Sequence, residues 1–216
     1  ASSTAESDGI SETEREKRLT RVAVALPVGG WHSKDFVPIC VLQSLLGGGS
    51  SFSAGGPGKG MYTRLYRAIL NQYMWAESAE AFTNFHHEIG LMGIMGSVPA
   101  PRAGDMVKLL CQHLVWLAQK PVNHEELSRA KNMLKANVLM QLESRLVQFE
   151  DVSRQVLTYG KYEPMGETAR RIDAVTAADV QNLAQRAILQ PVTLAAVGMD
   201  LSAVPPHSEL AGWLQT

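Results

Sequence analysis

Over LTRVAVALPVG (19–29), apolar residues fall on alternate positions. Val22, Val24 and Leu26 share one side, and Arg21, Ala23 and Ala25 share the other. A period of two predicts a strand. After it the period lengthens. Ser33 is placed to cap a helix over about 34–46, and Gly47 stops it. MYTRLYRAILNQ (61–72) reads as a second helix, with Met61, Tyr62, Leu65 and Ile69 on its apolar face. YMWAESAEAFTNF (73–85) and LMGIMGSVP (91–99) read as two strands, with HHEIG (86–90) as the turn between them. Pro99 or Pro101 opens a helix to about Gln119 whose stripe is Met106, Leu110, Leu114 and Leu117. The next helix follows Asn123. Asn123 is its cap, Glu126 at the third helical position completes a capping box, and Leu127, Ala130, Leu134 and Val138 form its stripe. Helices are also predicted at about 145–159, ending near Gly160, at 165–172, and at 177–188, the last capped by Thr176. PVTLAAVG (191–198) closes the pattern as a strand.

This order partly segregates strands from helices. It predicts an α+β fold, a largely antiparallel sheet with helices packed on one face. Residues 1–18 are small and charged, and read as a linker or flexible tail. Residues 19–200 form one α+β domain, and 201–216 read as a C-terminal tail.

Composition narrows the function classes. The 216 residues are 45% hydrophobic, enough to bury a full core. Twenty basic and 21 acidic residues give a net charge of −1, so no global field draws the chain to nucleic acid. No apolar run reaches membrane-spanning length, and no targeting segment shows at the start. These features are those of a mature protein, a cytosolic protein or a fragment. Cys40 and Cys111 lie far apart in apolar helical settings and read as reduced, buried thiols.

One segment resists the element pattern: LLGGGSSFSAGGPGKGMYTRLY (45–66). It is dense in glycine and carries a single lysine, Lys59. A Walker-type loop needs glycine six residues before the lysine and serine or threonine after it. Ser53 and Gly60 stand there instead. A dinucleotide fingerprint starting at Gly56 ends on Met61, and Pro57 removes a backbone donor. Nucleotide binding is therefore disfavoured. The six histidines (32, 86, 87, 113, 124 and 207) supply neither HExxH nor HxxEH. His86 and His87 would point to opposite faces of a strand. No GxSxG nominates a serine nucleophile. Glu125/Arg129 and Lys131/Lys135 read as solvated helix sides.

The same string closely resembles the glycine-rich loop of mitochondrial processing peptidase alpha subunits, within the pitrilysin/insulinase-like zinc peptidases. The resemblance continues through ELSRAKNMLKANVLMQLESR (126–145) and EDVSRQVLTYG (150–160), and covers roughly residues 20–200. It departs at Ser50, where the family's loop usually has a fourth glycine.

This resemblance implies the C-terminal half of a two-half, non-catalytic subunit, with no catalytic residue and no metal ligand in this chain. Zinc is expected on a partner beta subunit. Presequence peptides are the implied substrate, and Gly47, Gly48, Gly49, Ser50, Ser51, Phe52, Ser53, Ala54, Gly55, Gly56, Pro57, Gly58, Lys59 and Gly60 the implied contacts. Further implied partners are the N-terminal half of the same subunit and subunits of respiratory complex III. The implied location is the mitochondrial matrix or the matrix face of the inner membrane. The same family offers an alternative role, a structural core subunit of complex III, alone or combined with processing. A third reading is half of a bacterial-type zinc peptidase with its active site on another chain. Presequences vary in sequence but are arginine-rich and amphipathic, so bare backbone suits a receptor for them. It can hold an extended peptide by main-chain hydrogen bonds largely independent of sequence.

Overall fold

The alternation at the start of the chain becomes the central strand of a sheet. In the computed structural model, which describes residues 18–50 and 61–214, β1 (Leu19–Gly29) buries Val22, Val24 and Leu26 almost completely. Around it stand β2 (Gly48–Ser50), β3 (Ser78–Phe85), β4 (Ile89–Pro99) and β5 (Thr193–Val197), in the order β2-β3-β4-β1-β5. Every pairing is antiparallel. The β1–β4 register sets Val22 opposite Gly96, Val24 opposite Ile94 and Leu26 opposite Met92. Period-two alternation on both strands thus delivers one apolar face.

Helices cover that face. The first layer is α1 (Phe36–Leu46) against β3, α2 (Ala103–Gln119) against β1 and β4, and α6 (Ala177–Ile188) against β1. A second layer sits on the first: α3 (His124–Leu142) on α1, with α4 (Arg145–Tyr159) and α5 (Met165–Ala174) on α3. The predicted α2 stripe, Met106, Leu110, Leu114 and Leu117, is buried throughout. Thr176 and Asp179 close a capping box at the start of α6, and Gly160, left-handed at φ 70, ends α4.

Several expectations change. The 34–46 helix begins only at Phe36, because Ser33 spends its side chain on the Asp35 N–H, at 3.1 Å, and its carbonyl on the Phe36 N–H. The helix predicted over 61–72 is a short one closed by a wide turn at Tyr66–Leu70, in which the Asn71 N–H donates to the Tyr66 carbonyl five residues back. Leu65 and Ile69 are buried as expected, but Met61 and Tyr62 are exposed. Residues 73–77 do not join β3. They turn, with the Tyr73 N–H on the Ile69 carbonyl, and pack Tyr73 against Trp75. The 201–216 segment is more than a tail: His207–Leu214 forms α7, which buries Leu210 and Leu214 against α2.

The outer sheet face carries no helix among the described residues. Ile89 is 68% exposed and Val197 71%, and Leu91 and Met95 are exposed on the same side. On α4, Leu146, Phe149 and Leu157 also face solvent, and no residue of this helix is buried. No helix among the described residues is long and apolar enough to cross a membrane.

Candidate functional site

The glycine-rich segment leaves the fold at the edge of the sheet. Gly47 ends α1 with its N–H on the Gln43 carbonyl. Its φ of 54 and the φ of 115 at Gly48 turn the chain out of the helix and into β2. At both positions glycine is required by the fold itself. A Cβ on Gly47 would stand 2.3 Å from Thr63 Cγ2, and one on Gly48 would stand 1.9 Å from the Ala79 carbonyl oxygen. β2 then pairs with β3, Gly48 opposite Glu80 and Ser50 opposite Ser78. A Cβ on Gly49 would meet nothing within 4 Å, so no packing constraint explains glycine there.

The contacts beneath this edge are dense. The Ala81 N–H donates to the Gly47 carbonyl at 2.9 Å. The Thr83 hydroxyl donates to Gln43 Oε1 at 2.9 Å, and the Ser44 hydroxyl to the Ala130 carbonyl at 3.1 Å. On the returning side, the buried Thr63 accepts the Gly48 N–H on its hydroxyl oxygen at 3.1 Å. The next residue, Arg64, donates from Nε and Nη2 to the two oxygens of Glu126, at 2.9 and 2.8 Å. Asn123 caps α3 as expected by accepting from the Glu125 N–H, but Glu126 does not complete the capping box; it serves Arg64. Sequence reading missed Thr63 and the Arg64–Glu126 pair. Their partners lie 15 and 62 residues away, beyond the reach of any local pattern.

Of the residues implied as substrate contacts, the structure places Gly47, Gly48, Gly49 and Ser50 together at this edge. Ser51, Phe52, Ser53, Ala54, Gly55, Gly56, Pro57, Gly58, Lys59 and Gly60 lie outside the described residues, as do residues 1–17 of the expected linker.

The Arg64–Glu126 pair holds the returning chain to α3 with both side chains about four-fifths buried. Arg64→Gln is expected to destabilise the fold by about 2 kcal/mol, between the values for exposed and fully buried pairs. Adding Glu126→Gln should recover part of the loss by removing the stranded carboxylate. Urea unfolding of the single and double variants measures both.

Other chemistry-bearing groups are spread out. His32 and His87 bring their rings within 4.4 Å of each other at the surface, and His207 Nε2 lies 2.7 Å from the Val192 carbonyl. Among the described residues, no group of three or more His, Cys, Asp or Glu is placed to hold a metal ion. Burial pushes the Cys40 thiol up to about 11 and the Cys111 thiol up to about 12, so both stay protonated at neutral pH. The expected solvated faces of α3 are only half so. Arg129 pairs with Glu125, but Lys131 and Lys135 cross to Asp173 of α5. A cavity of about 560 Å³ lies between α1, α3, α4 and α5, with Trp31, Cys40, Arg154 and Arg171 among its lining. Arg154 stacks over Trp31 at 4.8 Å and so ties α4 to the chain after β1.

Comparison with known proteins fits this architecture. The family model described as "Peptidase M16 inactive domain" matches residues 3–134. A probable mitochondrial-processing peptidase subunit alpha-1 of Arabidopsis thaliana is 42% identical over 193 residues, 89% of this chain and 38% of the relative. The mitochondrial-processing peptidase subunit alpha of Solanum tuberosum is 40% identical over 206 residues, 94% of this chain and 41% of the relative. The Bos taurus subunit alpha is 36% identical over 89% of this chain. The chain spans about 40% of the length of the plant relatives. Among solved structures, a chain of complex III2 from Candida albicans, bound to Inz-5, superposes with a TM-score of 0.81 over 91% of this chain and 46% of that one, at 16% identity, which is a likeness of fold. The chain belongs to the peptidase M16 family and is related, through the inactive domain of that family, to the alpha subunits of mitochondrial processing peptidases.

Proposed function

We propose that this chain serves as the substrate-recognising, non-catalytic part of a mitochondrial processing peptidase alpha subunit. In this reading the glycine-rich segment 47–60 binds presequences and presents them to a zinc-bearing beta subunit. The observation that carries it is the built base of that segment. Gly47 and Gly48 are demanded by close backbone and side-chain approach, and Thr63 and Arg64 fix the returning chain. Both ends of the segment are thereby fixed at one edge of the sheet. The alpha-subunit names of the relatives support the same reading and favour a mitochondrial location.

Two exposed apolar faces support assembly into something larger. Ile89 and Val197 on the open sheet face, and Phe149 and Leu157 on α4, are between 68 and 87% exposed. Apolar faces of this kind mark contact surfaces. The companion half of the alpha subunit and the beta subunit are the occupants this reading supplies.

The test is presequence affinity. A complete alpha subunit containing this domain is assembled with the zinc-bearing beta subunit, with residues 51–60 intact or replaced by a short linker. Fluorescence anisotropy of a labelled presequence peptide is expected to show binding at least about tenfold weaker after replacement. Equal affinity in correctly assembled complexes would remove the recognition role. Recovery of the intact chain with cytochrome-containing complexes, joined to equal affinity, would leave the complex III core role as the better account.

A further inference from the structure

We propose that the cavity between α1, α3, α4 and α5 binds an amphipathic monocarboxylate of the fatty-acid class, with its chain against the helices and its carboxylate on Arg154 and Arg171. The cavity lies at the start of α1, whereas the glycine-rich segment leaves from the end of that helix. It does not depend on the presequence reading.

The walls suit an apolar chain. Val37 and Cys40 of α1, Leu134 and Val138 of α3 and Ile172 of α5 line the cavity. Its volume of about 560 Å³ lies within the roughly 300–1,000 Å³ of small-molecule sites, which join apolar walls to a few polar groups. α4 supplies one side through Val147, Asp151, Arg154 and Gln155, yet buries no residue of its own. Helix faces that meet directly pack at crystal-like density. α4 is instead held off the body by polar ties. The Tyr159 hydroxyl donates to the Trp31 carbonyl at 3.1 Å, and the Arg154 guanidinium lies over the Trp31 ring.

The charges select the head. Lys34, Arg154, Lys161 and Arg171 line the cavity against Glu150, Asp151 and Glu163, an excess of one positive charge. A monoanion balances that excess, and a second negative charge would be repelled by the three carboxylates. Arg154 donates to Asp151 from Nη2, and Arg171 donates to both oxygens of Glu163 from Nη1 alone, at 3.1 Å each. Each guanidinium therefore commits a single nitrogen, and the rest of its planar fork matches a carboxylate. The two positive charges converge on one region. Burial raises the pKa of the Cys40 thiol and of the Tyr159 hydroxyl, and the Arg154 and Arg171 charges oppose that rise at both groups.

The experiment uses the complete subunit that carries this domain, with sodium decanoate as the probe. Decanol supplies the chain without the charge, and acetate the charge without the chain. Calorimetry is expected to give decanoate a Kd of about 100 μM or tighter, with decanol and acetate at least about tenfold weaker. A decanoate analogue with a diazirine at the chain end should crosslink to the α1 and α3 walls, read by peptide mass spectrometry. Arg171→Gln should weaken decanoate at least about tenfold and leave decanol unchanged. If Arg171→Gln does not fold, as judged by its urea midpoint, Arg154→Gln makes the same test from α4. Val138→Trp fills the apolar part and should abolish binding. Four results would each overturn the site: no binding of decanoate, equal binding of decanol, crosslinks confined to the exposed face of α4 around Leu146 and Phe149, or full affinity in both folded arginine variants.

Discussion

Replacing Gly48 with alanine is expected to destabilise the domain by roughly 3 kcal/mol and to strip β2 from β3. Two effects add. A φ of 115 lies where L residues are strained, and the new methyl would point at the Ala79 carbonyl oxygen from 1.9 Å. The obstacle is backbone of a strand paired on both sides, so it cannot swing aside as a flexible side chain would. Relief comes only by breaking the Gly48–Glu80 pairing, which also frees the Gly48 N–H from Thr63. Gly49→Ala is the matched control, because its Cβ would meet nothing within 4 Å and it carries no left-handed φ. Thermal unfolding should show a large drop in Tm for Gly48→Ala and a change several-fold smaller for Gly49→Ala. Equal drops would mean that the turn geometry is not what fixes glycine at position 48.

The second large effect is acid lability through His113. This side chain is 2% exposed on α2, edge-on to Trp116 at 5.0 Å, and its Nδ1 has no hydrogen-bond partner among the described residues. Burial, with a smaller contribution from the Arg64 charge, lowers its pKa from 6.5 to about 4. The fold therefore holds the neutral ring. Above about 6.5 both folded and unfolded chains carry it neutral, and His113 adds no pH dependence. As pH falls below 6.5 the unfolded chain binds the proton first, so stability declines until the folded chain also protonates near 4. A gap of this size corresponds to a loss of about 3 kcal/mol across that window. His113→Leu should flatten this part of the profile. Urea midpoints of both proteins between pH 7 and pH 4 give the comparison. Parallel profiles would show that His113 does not set acid sensitivity.

Much of the fold was legible because side-chain periodicity carried it. β1 alternates, the α2 stripe recurs every three or four residues, and Thr176 announces α6. What could not be read had no side-chain signature. β2 consists of two glycines and a serine, so its pairing with β3 is a backbone event. The wide turn at Tyr66–Leu70 differs from an α-helix by a shift of one hydrogen-bond register, and the exposed Met61 and Tyr62 mimic an apolar face. Residues 73–77 are rich enough in aromatics to suggest a strand, yet Tyr73 and Trp75 pack against each other across a turn. α7 hides behind the double proline at 205–206. At the candidate site, composition alone exposed the glycine-rich segment. Its supports were invisible, since Thr63 and Glu126 acquire their roles only when the chain brings distant positions together. The two glycines whose necessity the structure explains, Gly47 and Gly48, are needed for the turn and the close approach, whether or not peptide touches them.

In the proposed role, a glycine-rich segment on an anchored base recognises presequences for a catalytic partner. Cleavage by the reconstituted complex tests it most directly. The zinc-bearing partner is combined with the complete alpha subunit, intact or with residues 51–60 replaced by a short linker, and assembly is verified by size exclusion. In that role, kcat/KM for a presequence substrate is expected to fall at least about a hundredfold on replacement while assembly persists. Unchanged cleavage by an assembled complex lacking the segment would contradict it.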